Sequence, residues 1–95
     1  MHSISVTKVD KSQLTNFSFG KNENQEQGTR SLLRYNLQRA LTLGNLYKSH
    51  VLILFYDENG NYMETEATVW AVSEKYIMIK GGTVIPIDSI IDVTI

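Results

Sequence analysis

His50-Val51-Leu52-Ile53-Leu54-Phe55-Tyr56, then Asp57-Glu58-Asn59-Gly60-Asn61, then Tyr62 through Val72 (YMETEATVWAV), is the stretch whose reading decides the fold. Its first arm is nearly all apolar and rich in β-branched and aromatic residues, so it reads as a strand covered on both faces. The polar segment behind it holds Asn59-Gly60, two residues that accept positive φ and mark a hairpin. The second arm alternates, with Glu64 and Glu66 on one side and Met63, Thr65, Ala67 and Val69 on the other. It then becomes apolar on both sides over Val69-Trp70-Ala71-Val72. A strand that starts half exposed and ends covered predicts one long, bent strand shared between two halves of a barrel. Trp70 is expected in the core of such a structure, in preference to serving as a stacking platform for a base.

Working downstream, Ser73-Glu74 turns and Lys75 to Lys80 forms a third strand with Ile77 and Ile79 on one face. Gly81-Gly82 is a two-residue turn, and Thr83 to Ile87 is a fourth strand. Pro86 has no N–H to give a ladder and therefore belongs at an edge or a bulge. Asp88-Ser89-Ile90 reads as one helical turn capped by Asp88, and Ile91 to Ile95 as a short fifth strand.

Working upstream, Thr29 to Leu43 reads as a helix, capped by Thr29 or Ser31 and ended by Gly44-Asn45. Leu33, Leu37, Ala40 and Leu41 fall within roughly 100° of arc, and Leu32 and Leu43 widen the apolar side to roughly half the circumference. One small sheet consumes less than that. Residues 20–28 are too polar to bury themselves and read as a flexible loop. Phe17 and Phe19 share a face and dock on the domain, and Ile4, Val6 and Val9 sketch a short edge strand over residues 3–9.

The chain has 95 residues, enough for one domain with a thin core. It contains no cysteine, so packing must hold it together without disulfides or thiolate metal sites. Residues 28–50 carry four bases (Arg30, Arg34, Arg39, Lys48) and no acid, whereas residues 51–95 carry two bases against seven acids. No apolar run reaches the roughly 18 residues of a membrane span, and the first residues lack the pattern of a signal peptide. The expected location is cytoplasmic, with no membrane contact.

Catalytic signals are absent. The histidines, His2 and His50, stand far from any partner spacing, and there is no nucleophile elbow. Glu64 and Glu66 read as solvated acids, and Gly81-Gly82, with no helix behind it, is no phosphate cradle. Neither an enzyme nor a cofactor is expected.

The order of elements, a helix and then five short strands with one turn before the last, resembles that of Sm-like and other small SH3-like barrels. The tail Val84-Ile85-Pro86-Ile87-Asp88-Ser89-Ile90-Ile91-Asp92-Val93 is similar to the closing segment of such barrels, above all of YolD-like proteins and more loosely of Hfq-type Sm proteins. The resemblance covers residues 29–95. It implies a five-stranded antiparallel barrel or curved sheet behind one amphipathic helix, and for Sm proteins ring assembly and RNA binding. The loops that carry RNA in that family have no counterpart in Ser73-Glu74 or Gly81-Gly82, so no functional residue transfers.

The expected function is therefore a non-catalytic binding or assembly module acting through protein contacts, its first partner another copy of itself. Leu32 and Leu43 on the helix, and Ile91, Val93 and Ile95 on the last strand, are the candidate interface. The alternative is an Sm-like RNA- or DNA-binding protein that uses Arg30, Arg34, Arg39 and Lys48. A pI near 6.1 argues against it. So does the placing of Arg39 about 140° from Arg34 around the helix.

Overall fold

The computed structural model describes residues 5–21 and 27–95. In chain order they form β1 (Val6–Lys8), a 3-10 helix (Lys11–Asn16), α1 (Gln27–Tyr47), β2 (Val51–Tyr56), β3 (Tyr62–Ala67), β4 (Val69–Val72), β5 (Tyr76–Ile79), β6 (Val84–Pro86), a 3-10 turn (Ile87–Ser89) and β7 (Ile90–Thr94). Strands β1-β3-β2-β7 make one sheet and β4-β5-β6 another. Pairing is antiparallel throughout except for β1, which lies parallel to β3.

The long strand expected over Tyr62–Val72 divides at Thr68, which leaves β3 in one sheet and β4 in the other. The described residues are thus mainly β, with one α-helix and two sheets meeting at a bend, and their strands close no barrel. Pro86 lies in edge strand β6, as its missing donor requires. Gly81 and Gly82 turn the chain at φ 102° and 90°.

Alternation decides the core. Val51, Ile53 and Phe55 of β2 are buried, while Leu52 is 36% exposed and Leu54 and Tyr56 are only half buried. The expectation that this strand is covered on both faces is corrected. The helix packs on β4 and β7 and leaves the outer face of the four-stranded sheet open. Leu33, Leu37 and Ala40 enter the core from α1, as the periodicity predicts, and Leu41 packs against it half buried. They meet Ile53, Val69, Ile77, Ile79, Ile85 and Ile90 there. Each large aliphatic side chain so buried contributes about 1.5–3 kcal/mol.

The helix runs one turn further than expected at its C-terminus. Gly44 lies inside it, and the cap is Lys48, at φ 53°, with the Ser49 N–H donating to the Leu43 carbonyl at 3.4 Å. A glycine is needed at 44 for another reason: a Cβ there would stand 2.5 Å from the Val69 carbonyl oxygen. The N-terminus also departs from expectation, because the helix begins at Gln27 and places Thr29 and Ser31 inside it.

The N-terminal segment is docked. Leu14 is 1% exposed, in the core. The Phe17 and Phe19 rings lie 5.0 Å apart and 5.5 and 5.6 Å from Phe55. The Gly20 N–H donates to the Tyr56 carbonyl at 2.9 Å, and the Ser89 hydroxyl donates to the Gly20 carbonyl. Most of the loop expected over residues 20–28, and Ile4, lie outside the described residues. The expected edge strand is present as β1.

The hairpin at Asn59-Gly60 forms, with only Gly60 at positive φ (80°). Nothing lies within 4 Å of a Cβ placed there, so Gly60→Val meets no clash and only the backbone conformation opposes it. A loss of about 1 kcal/mol is expected. Thermal denaturation checks it, and an unchanged Tm contradicts the turn assignment.

Asp57 organises this turn. Its carboxylate accepts from the Asn61 side-chain amide at 3.0 Å and from the N–H groups of Asn61 and Asn59 at 2.8 and 2.9 Å. These bonds, led by the Asn61 side chain, hold its pKa below the ordinary 3.8. The stabilisation is therefore complete above 3.8 and is lost as pH falls through that value toward the lower folded one. Denaturant midpoints taken from about pH 5 down to about pH 2 should decline, and Asp57→Asn should flatten that decline. An equal slope in the variant contradicts the assignment.

Candidate functional site

Helix α1 carries two stripes. One, through Leu33, Leu37 and Ala40, is consumed by the core. The other is open: Leu32 is 59% exposed, Tyr35 61%, Leu46 68% and Tyr47 71%. Leu43 is half buried and lines a shallow groove of about 290 Å³ with Tyr35, Gln38, Arg39 and Thr42. The Arg39 guanidinium lies over the Tyr35 ring, 5.9 Å from its centroid. The extra turn past Gly44 adds Leu46 and Tyr47, which the shorter expected helix left out.

The strand residues expected at an interface divide. Val93 is 4% exposed and belongs to the core, which corrects its place in the candidate surface. It faces Ile53 across the ladder, on the inner side of the sheet. Ile91 is half buried and Ile95 is 49% exposed. Strand β7 is a sheet edge, as expected.

Trp70 is 44% exposed, against the expectation of a core position. The register explains it. Val69 pairs with Ile79 and Ala71 with Met78, so Trp70 is the extra residue of a bulge and its side chain turns outward. Tyr76 and Val84, 49% and 46% exposed, sit on the same sheet.

The four expected nucleic-acid contacts do not converge. Arg30 and Arg34 line one cavity of about 470 Å³, together with Lys75 but also with Glu74 and Asp88. Arg30 pairs with the Asp88 carboxylate and Arg34 donates to the Glu74 carbonyl. Asp88 was expected to cap the turn before β7, but no side chain caps it and Asp88 holds Arg30 instead. The pair is about half exposed and contributes at most about 1 kcal/mol. Arg39 belongs to the open stripe, and Lys48 ends the helix.

His50 Nδ1 and Glu66 Oε1 lie 3.2 Å apart on the surface. Among the described residues no three His, Asp or Glu side chains gather as metal ligands, and no helix is long and apolar enough to cross a membrane. No protein-family model matches the sequence, and comparison with curated proteins and with solved structures returns no match.

Proposed function

We propose that this chain is a non-catalytic binding or assembly module that works through protein–protein contacts, with a second copy of itself as the first partner. The observation that carries the reading is the open stripe on α1, where four large side chains, Leu32, Tyr35, Leu46 and Tyr47, are each more than half exposed. An exposed, largely apolar stripe of this kind, interrupted by Arg39, marks an interaction surface. The order β7-β2-β3 and β4-β5-β6, with a 3-10 turn before β7, supports a kinship with SH3-like and Sm-like barrels.

Light scattering after size exclusion at micromolar protein tests the reading. The expected result is a mass above 10.8 kDa at both low and high salt, since apolar contact dominates and exposed ion pairs add little. A monomer in both conditions contradicts it. The second reading, an Sm-like RNA- or DNA-binding protein, is favoured by exposed Trp70 and Tyr76 on one sheet, since aromatic faces stack on bases. Titration with single-stranded RNA at two salt concentrations separates the two, because phosphate contacts give a steep salt slope.

A further inference from the structure

The open stripe on α1 carries a cation, Arg39, among apolar side chains. The outer face of the four-stranded sheet carries Glu64, Glu66 and Asp92 beside Leu52 and Leu54, with Lys8 opposite Glu64 and His50 against Glu66. At 100° per residue, Leu32, Tyr35, Leu43, Leu46 and Tyr47 fall within an arc of about 120°, and Arg39 lies near its middle. Residue 39 is also midway along the stripe between residues 32 and 46. Two such helices laid side by side, parallel or antiparallel about that midpoint, bring one Arg39 against the other. Residues 28–50 contain no acid to relieve the contact. Like charges in an apolar seam repel, so helix-on-helix pairing is disfavoured.

The sheet supplies the missing partner. Its outer face has an apolar spine, Leu52 and Leu54, in the centre strand β2. Leu54 stands opposite Glu64 on one side and Asp92 on the other, and Leu52 opposite Glu66 and Thr94. Directly opposed side chains in a sheet are about 4.5–5.5 Å apart, so carboxylates flank the spine within reach of a guanidinium lying on it.

We propose that the α1 stripe of one copy lies across the outer face of the four-stranded sheet of a second copy, with Arg39 between the carboxylates that flank Leu54. This rests on the self-association reading and specifies it. The contact uses different patches on the two copies. It is heterologous, and in each pair one copy keeps a free sheet and the other a free helix, so the assembly grows into a ring or a chain.

Two variants with exposed substitutions test it, each breaking one patch: Leu32→Glu with Leu46→Glu on the helix, and Leu52→Lys with Asp92→Lys on the sheet. Should either lose its melting transition, Arg39→Glu and Glu66→Lys take their places. Light scattering at about 50 µM is expected to give more than a dimer for the parent protein and about 10.8 kDa for each variant alone. An equimolar mixture of the two is expected near 21.6 kDa, twice the chain mass, because only one live contact remains. A sheet variant that dimerises alone overturns the proposal in favour of helix-on-helix contact and leaves the self-association reading standing. So does a parent assembly that neither variant disturbs. A monomeric parent sinks both, and flotation of that monomer with phosphatidylserine vesicles would assign the stripe to a lipid surface.

Discussion

Leu14→Ala is expected to cost the domain about 2–5 kcal/mol, the range for emptying a buried leucine site. The side chain is 1% exposed although it comes from a polar 3-10 helix, Lys11–Asn16, whose start is fixed by the Asp10–Gln13 capping box. A domain of this size holds only about 5–15 kcal/mol in all. The Tm should therefore fall by roughly 8 °C or more. Deletion of residues 1–21 removes Leu14, Phe17, Phe19 and β1 together, and should abolish the cooperative transition. If the truncated chain still melts cooperatively near the parent Tm, this N-terminal segment, a clasp over the core, contributes nothing and the core is complete without it.

Gly44→Ala should also destabilise, and its sign is the point. Inside a helix, exchanging glycine for alanine ordinarily gains about 1 kcal/mol. Here the new Cβ would stand 2.5 Å from the Val69 carbonyl oxygen and 3.1 Å from Thr68 Cγ2. The first neighbour is backbone and cannot swing aside, so α1 must lift from β4, against which it packs. Overpacking of that kind costs typically about 1–3 kcal/mol. A lowered Tm is expected. A raised one would mean that the helix tolerates the displacement and that propensity wins.

Gly44 shows why some of the fold is legible in the sequence and some is not. The hairpin at Asn59-Gly60, the turn at Gly81-Gly82 and the inward set Leu33, Leu37 and Ala40 follow from local rules, because each depends only on its neighbours in the chain. Gly44 obeys a contact with Val69, far away in sequence, and a local rule mistakes it for a helix end. Trp70 fails likewise: a bulge is a mismatch between two strands, invisible from one of them. Among the candidate interface residues, Leu32 and Ile95 are exposed as read, whereas Val93 faces the core. Alternation gives the two sides of a strand but not which of them the helix covers. Leu46 and Tyr47 lie beyond the helix end that Gly44-Asn45 signals. Their spacing from Leu32 and Tyr35 was the signal that could have found them.

The parallel pairing of β1 with β3 sets a timetable for the newborn chain. Val6 meets Tyr62 in that ladder, and Gly20 is held by Tyr56 and Ser89. At translation rates of about 5–20 residues per second, several seconds pass between synthesis of the clasp and of the strand that receives it. Leu14, Phe17 and Phe19 wait in water meanwhile. They are spaced singly among lysine, serine, threonine, asparagine and glutamine, so no unbroken sticky stretch forms while their partners are still being made. The polar setting of these residues is then what lets a segment made before its partners wait for them.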